Sequence, residues 1–278
     1  MNLRIDLAYD GAPFRGLAKQ PEVRTVQGDV EAALAKIFGR PVETSAAGRT
    51  DAGVHALGQV IGVPDAPDDL DLSRLSGSLN SLCGPSIAVA RCVPAAEGWH
   101  ARFSARSRTY VYALLQGVPP DPFLIGTTWH LFEELDVARM NEAAGHLLGE
   151  HDFSSFGRVQ GTEFSAVRTL FELEAVRRGR IVTITARGNA FIQQMVRSLV
   201  GTLVHVGHRK LDPGALPDIL AAKDRAAAGP VAPPHGLCLV AVEYDEGWSR
   251  PLDVLLHDDG GSHPVDRSAS DGRFDPPG

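Results

Sequence analysis

The chain has 278 residues, 44% of them apolar and 22% charged, which predicts a soluble globular protein with a sizeable core. No run approaches the roughly 18 apolar residues of a membrane helix, the N-terminal segment lacks a signal-peptide pattern, and three scattered cysteines argue against a disulfide framework or a structural zinc site. We therefore expect a cytoplasmic protein with no membrane or metal partner. Its net charge of −7 is compatible with binding to a nucleic acid only if the basic residues cluster on the surface.

The first half of the chain predicts alternating strands and helices. Residues 3–9 alternate apolar and polar side chains and predict a strand. The next segment predicts a helix, which Thr25 can cap at its start and Gly39 can end. Residues 42–63 predict a strand, a loop and a second strand. Further along, the patterns predict a helix over 72–82 and strands over 86–94 and 108–116.

The second half loosely repeats this arrangement. A helix is predicted over 137–148, and a hairpin over 170–188 whose turn can use Gly179. A strongly amphipathic helix, capped by Asn189 and closed by Gly207, precedes a strand over 237–245. Hairpins mixed with helical crossovers favour an α+β fold.

After Trp248 the apolar pattern dissolves into Asp, Gly, Ser and Pro, which predicts a disordered tail. Residues 251–278 contain six Asp and two Arg, so −4 of the net charge of −7 lies there and −3 remains for the first 250 residues.

The stretch GRTDAGVHALGQV, residues 48–60, places Arg49 and Asp51 on a glycine-rich bend before an apolar strand. A carboxylate there could be a nucleophile or a general base, but an Asp in a bend often only hydrogen-bonds its own backbone. Arg49 could pair with Asp51 or reach outward to a phosphate. His55 lies four residues after Asp51, but no third residue at metal-ligand spacing is nearby, and the chain has no glycine-rich phosphate loop.

A second stretch, WHARFSARSRTYVY at residues 99–112, interleaves four aromatic residues with His100 and three arginines. Aromatic rings that stack on bases, beside arginines that hold phosphates, form nucleic-acid surfaces. An ordinary strand with one buried aromatic face and one solvated basic face fits equally well. Arg197 interrupts the apolar helix before Gly207, where an arginine usually extends its charge toward water and less often belongs to a site.

Taken in order, these stretches resemble the TruA-type tRNA pseudouridine synthases. The resemblance covers residues 3–244 and rests on YDGAPFRG, RTVQGDVEAAL, GRTDAGVHALGQV, HARFSARSRTYVY, GEHDFSSF, RTL, GNAFIQQMVRSLVGTLVHVG and PPHGLCLVAVEY. In this company GRTDAGVHA is highly specific, and it favours a catalytic Asp51 over a simple turn.

The resemblance implies isomerisation of uridine to pseudouridine at positions 38, 39 and 40 of the tRNA anticodon stem-loop, without a cofactor or metal. Asp51 would be the nucleophile, and Arg197 would lie beside its carboxylate and keep it ionised. Tyr110 would stack on the flipped uracil and take the C5 proton.

The resemblance also implies substrate contacts. Arg49 would help to extrude the target base, and we place His55, Arg102 and Tyr110 with it among the substrate-binding residues. The family usually has a tryptophan where this chain has Leu17.

The family fold has two related α/β halves whose mixed or antiparallel sheets form a central RNA-binding cleft, and it works as a homodimer. We expect the halves at residues 1–105 and 106–248, followed by the acidic tail at 249–278. One alternative is a non-catalytic RNA-binding protein, which would not need Asp51. Another is a glycosidase, which would need a second carboxylate.

Overall fold

The structure is a computed structural model that describes residues 1–158 and 165–249. The strands are β1 Asn2–Tyr9, β2 Ser45–Ala46, β3 His55–Val63, β4 Ile87–Ala95, β5 Ser107–Gln116, β6 Trp129–Leu131, β7 Gly149–Asp152, β8 Val167–Arg178, β9 Ile181–Gly188, β10 Leu237–Tyr244 and β11 Gly247–Trp248. The α-helices are α1 Val26–Phe38, α2 Leu72–Cys83, α3 Val137–Gly145, α4 Met195–Gly207 and α5 Leu216–Ala222.

The strands form one mixed sheet. Its main order is β4-β1-β3-β10-β5-β9-β8-β7, with β2 beside β3, β6 beside β5 and β11 beside β10. Neighbours along the main order are antiparallel except β3 and β10, which are parallel. β10 comes late in the sequence yet lies between β3 and β5, so it joins strands of the first half to strands of the second. The mixed sheet and its helices confirm the α+β prediction.

Several local signals act as the sequence predicts. Thr25 accepts a hydrogen bond from the backbone N–H of Gly28 at the start of α1, and Gly39 ends that helix with φ of 69°. Gly179 has φ of 60° in the two-residue turn between β8 and β9. A positive φ is what such hairpin turns require, so the hairpin prediction is confirmed.

The predicted start of the amphipathic helix is wrong. α4 begins at Met195, six residues after Asn189, and it is preceded by Gln194 with φ of 64°. The side chain of Asn189 instead accepts hydrogen bonds from the backbone N–H groups of Thr169 at 3.0 Å and Ala190 at 2.7 Å. Asn189 therefore fixes this segment to β8 rather than capping a helix. The predicted end of α3 also differs from the structure. α3 ends at Gly145, three residues before the predicted end at 148, because the chain turns into β7 at Gly149, which has φ of 93°.

The described chain continues into the predicted tail by one residue. The N–H of Ser249 donates to the carbonyl of Val242 at 2.8 Å, and its hydroxyl donates to the carbonyl of Gly58 at 2.8 Å. Ser249 is therefore hydrogen-bonded to the sheet, and the rest of the predicted tail lies outside the described residues. Within the part that the structure describes, no helix is long and apolar enough to cross a membrane.

Candidate active site

Residues 48–53, here called the Asp51 loop, connect β2 to β3 and are fixed from the buried side by three polar side chains. The hydroxyl of Tyr9 lies 2.8 Å from that of Thr50. The amide of Gln59 donates to the carbonyl of Gly48 at 2.9 Å and to the Tyr9 hydroxyl at 3.4 Å. Tyr9, Thr50 and Gln59 are all buried. Because a buried polar group is costly without a partner, this network holds the loop in one conformation.

A second support is the segment 11–17, whose backbone packs against the Asp51 loop. The N–H of Leu17 donates to the carbonyl of Thr50 at 3.1 Å. Gly16 has φ of 105°, and a Cβ there would lie 3.0 Å from the same carbonyl oxygen. Only glycine combines that backbone conformation with such a close approach. Leu17 itself is 1% exposed, so at the family's tryptophan position this chain has a packed core residue.

The structure brings Arg197 to Asp51 across 146 positions of sequence. Nη1 of Arg197 donates to Oδ2 of Asp51 at 2.8 Å, and Nε donates to the carbonyl of Ala232 at 2.7 Å. The exposed fractions of the side chains are 14% for Arg197 and 25% for Asp51. The contact is a charge-assisted hydrogen bond between two largely buried side chains, and it fixes the position of the carboxylate. The Arg197 side chain therefore contacts Asp51 rather than extending its charge toward water.

The chain before β10 holds Arg197 in place. α4 packs so closely on this chain that a Cβ at Gly201 would lie 1.7 Å from the carbonyl oxygen of Pro230. The hydroxyl of Tyr112 donates to the carbonyl of Pro233 at 2.9 Å. The carbonyl of Ala232, which accepts from Arg197, is therefore fixed from both sides. Tyr112 is fully buried, and its hydroxyl helps to hold the segment that contains Ala232.

Tyr110 lies on β5 near the Asp51 loop. Its hydroxyl oxygen is 3.5 Å from the position that a Cβ would take at Gly48, and its ring stands edge-on to Phe191 with centroids 5.3 Å apart. The side chain is buried. Burial raises the pKa of Tyr110 to about 12, the Asp51 carboxylate adds to this rise and Arg108 opposes it. The phenol is therefore protonated at neutral pH.

The three arginines of the 99–112 stretch do not share one role. Arg108 is buried and donates to the carbonyls of Ala47, Arg102, Ala105 and Asn189. Burial lowers the pKa of Arg108. Arg106 makes a two-pronged ion pair with Asp245, with bonds of 2.6 and 2.9 Å. Of the two alternatives for this stretch, the phosphate-binding one therefore does not apply to Arg108, whose guanidinium joins backbone segments.

The three other substrate-binding candidates differ in their exposure. The side chains of Arg49 and Arg102 are exposed, at the Asp51 loop and near Ala47 respectively. His55 is 13% exposed, and its Nδ1 accepts from the N–H of Gly11 at 3.1 Å and lies 3.2 Å from the carboxylate of Asp10. These contacts place His55 among the supports of the loop. Among the described residues, no group of three His, Cys, Asp or Glu side chains could hold a metal ion.

Sequence reasoning missed the residues that support the loop from below. Tyr9 and Thr50 stand within quoted motifs, but nothing in their local pattern shows that they meet. Gln59 falls at a core position of an apolar strand, and a polar residue at such a position is the one signal that could have identified it.

Comparison with known proteins gives consistent matches. A family model described as tRNA pseudouridine synthase matches residues 143–245. A protein named tRNA pseudouridine synthase A from Herminiimonas arsenicoxydans is 42% identical over 251 residues, which are 89% of this chain and 91% of that protein. Another of the same name, from Bordetella parapertussis, is 45% identical over 248 residues, with 87% of this chain and 90% of that protein covered. A third, from Bordetella petrii, is 42% identical and covers 94% of this chain and 95% of that protein.

The chain also resembles a solved structure of an H/ACA RNP bound to a substrate RNA containing 2'-deoxyuridine. The match covers 73% of this chain but less than half of that one, 44%, at 13% identity and a TM-score of 0.35. A similarity this distant supports no conclusion about the chemistry of the site.

Proposed function

The chain belongs to the tRNA pseudouridine synthase A family of isomerases, and we propose that it converts uridine to pseudouridine at positions 38, 39 and 40 of the anticodon stem-loop with Asp51 as the nucleophile. The observation that carries this proposal is the Asp51–Arg197 pair, joined at 2.8 Å. The carboxylate is one-quarter exposed on a loop that buried hydrogen bonds hold rigid. An ionised, rigidly held and accessible carboxylate is what a nucleophile for a flipped base requires.

The reaction balances without another reagent. The bond between N1 of uracil and C1′ of the ribose breaks, the base turns, and C5 forms the new bond to C1′. The C5 proton leaves and N1 gains a proton. Asp51 acts as the nucleophile in this sequence, and Arg197 orients its carboxylate by donating to Oδ2. The chemistry therefore needs no redox cofactor, nucleotide or metal.

We assign two roles to Tyr110. Its ring forms part of the floor against which the flipped uracil stacks, and its hydroxyl serves the transfer of the C5 proton. The position of the hydroxyl beside Gly48 supports the second role. Because the pKa of Tyr110 is raised to about 12, the phenolate is scarce at neutral pH, but it is a strong base when it forms.

The remaining proposals concern the contacts with tRNA, the oligomeric state and the location of the protein. Arg49 and Arg102 contact the RNA because both are exposed cations near the Asp51 loop. We propose that His55 acts on substrate binding indirectly. Its Nδ1 accepts a hydrogen bond from the N–H of Gly11, and the turn at Gly11 packs against the Asp51 loop. We also propose a homodimer that works in the cytoplasm, where its tRNA substrate is found.

Incubation of the protein with an unmodified tRNA transcript, followed by pseudouridine mapping at single-nucleotide resolution, tests the function. Pseudouridine at positions 38, 39 or 40, formed equally in the presence of EDTA, is the expected result. Modification at other positions only would overturn the stem-loop assignment. Binding without modification would favour the RNA-binding alternative, and release of uracil would favour a glycosidase.

A further inference from the structure

Residues 99–104, here called the aromatic turn, expose a large aromatic ring beside a cation. Phe103 is 77% exposed, and its ring centroid lies 4.5 Å from that of His100. The guanidinium carbon of Arg102 lies 5.8 Å from the Phe103 ring centroid. A phenylalanine this exposed contributes little to the protein's own core, so its ring is available for contact with another molecule.

The aromatic turn lies beside the Asp51 loop and has a fixed backbone. One nitrogen of Arg108, Nη2, donates both to the carbonyl of Ala47 and to that of Arg102. Ala47 directly precedes the Asp51 loop. The hydroxyl of Tyr244 donates to the carbonyl of Ala101 at 2.7 Å, which fixes the turn from the other side. The turn that carries the exposed Phe103 ring is therefore held next to the residue that precedes the Asp51 loop.

The charge around Phe103 favours an anionic partner. Arg102 is exposed and acts on Arg168, whose pKa is lowered by burial and by this neighbouring positive charge. Phe132 provides the contrast within the same molecule. It is 73% exposed, with its ring centroid 4.8 Å from that of His130, but Glu133 and Glu134 follow it in the chain. Two similar Phe–His pairs thus differ in the charged residues beside them, an arginine next to Phe103 and two glutamates next to Phe132.

We propose that Phe103 and His100 form a stacking platform for an unpaired base of the bound RNA, while Arg102 binds an adjacent phosphate. The proposal rests on the proposed function, because it takes the tRNA as the ligand and adds where one of its bases lies. Every base has a face that can stack on an aromatic ring, and exposed arginine beside that ring adds the phosphate contact. The Phe103 platform therefore holds RNA whose neighbouring uridine enters the Asp51 site.

The test compares Phe103→Ala, Phe103→Tyr and the matched control Phe132→Ala with the wild-type protein. Binding of an unmodified tRNA is measured by fluorescence anisotropy, and single-turnover release of tritium from C5-labelled uridine is measured over a range of enzyme concentrations. Alanine at Phe103 should weaken tRNA binding about 5- to 150-fold, the range found for the loss of one stacked base. The limiting rate at saturation should change little. Phe132→Ala should match the wild type in both, and Phe103→Tyr should bind tRNA more tightly than Phe103→Ala because its ring can still stack.

Three results would overturn the platform. One is equal tRNA affinity for Phe103→Ala and Phe132→Ala. Another is a drop in Tm for Phe103→Ala that accounts for its loss of binding. A third is a change in oligomeric state on sedimentation at unchanged RNA affinity, which would make Phe103 a contact between two copies of the chain. If the wild type binds tRNA through Phe103 but releases no tritium, the proposed function fails and the platform stands.

Discussion

The Asp51 loop and the aromatic turn both connect strands of one sheet, but the structure fixes them in different ways. In the loop, buried side chains from β1 and β3 hold the backbone, and a distant arginine holds the catalytic candidate itself. In the aromatic turn, Arg108 and Tyr244 hold only the backbone carbonyls, and the side chains of Arg102 and Phe103 remain exposed.

This difference corresponds to two proposed functions, catalysis in the Asp51 loop and RNA binding in the aromatic turn. A group that does chemistry must be held within a fraction of an ångström, so its own side chain needs a partner. A group that binds a flexible RNA must adapt to its ligand, so a fixed backbone with exposed side chains is sufficient. The following changes test whether the molecule divides in this way.

The largest effect is expected from Asp51→Asn. The amide keeps the shape of the loop but loses the negative charge, so turnover should fall below ~1% of the wild type, a loss of roughly 2.7 kcal/mol in transition-state stabilisation. Affinity for tRNA should stay within a few-fold, because phosphate contacts supply most of it. Asp245→Asn, which breaks the exposed pair with Arg106, is the matched control and should keep full turnover. Substantial residual activity of Asp51→Asn, or a collapse of its tRNA binding, would contradict the assignment.

Tyr110→Phe should have the next largest effect. The ring and its edge contact with Phe191 remain, so tRNA binding should be normal while single-turnover tritium release falls by roughly 10²–10⁴-fold, the usual range for general acid–base catalysis. Because the pKa of Tyr110 is about 12, the phenolate fraction rises tenfold with each pH unit below that value, and the wild-type rate should rise with pH between 6 and 9.

Tyr112→Phe is the control for this change, since its hydroxyl supports Pro233 and does not face the loop at Gly48. Tyr112→Phe should lower the free energy of unfolding and should change the rate of tritium release little. Release of tritium by Tyr110→Phe at the wild-type rate would remove the proton-transfer role and leave Tyr110 as a stacking surface.

A smaller effect is expected when the loop loses a support. Thr50→Val removes the hydroxyl that Tyr9 contacts, which should cost about 1–3 kcal/mol of stability and lower kcat several-fold with little change in KM. Ser155→Ala removes an equally buried hydroxyl, bonded to Ile219 and Asp224 instead, and should lower Tm without lowering kcat. Urea unfolding and steady-state kinetics on both variants make the comparison. Equal kcat values for the two would show that the Tyr9–Thr50 contact serves stability alone.

The smallest effect is expected from truncation after Ser249. Residues 250–278 lack apolar periodicity and carry a net charge of −3, from six Asp and three Arg, so their removal should leave Tm and turnover unchanged and should tighten RNA binding slightly at low salt. Removing Ser249 as well deletes its hydrogen bonds to Val242 and Gly58, and Tm should fall by a few degrees. A large loss of stability with the shorter truncation would show that the predicted tail packs on the domain.

The local sequence determined the elements whose causes lie within a few residues. Thr25 and Gly39 fixed the ends of α1, Gly179 fixed the hairpin turn, and the glycines around Asp51 marked a bend before a buried strand. Caps, turns and apolar periodicity depend on neighbouring backbone groups, so they can be recognised without the fold. The motif resemblance also identified the family and the residues worth testing.

Only the tertiary structure decided which groups meet. Arg197 reaches Asp51 because β10 lies between β3 and β5 and the chain before it anchors α4, a contact that no local pattern encodes. α4 starts at Met195 and not just after Asn189, because the side chain of Asn189 accepts a hydrogen bond from the N–H of Thr169 in β8 instead of capping the helix. Arg108 and Arg102 have the same chemistry and lie six positions apart, yet one is buried against four carbonyls and the other is exposed. Burial depends on what packs from distant parts of the chain, and that is the information a local sequence pattern lacks.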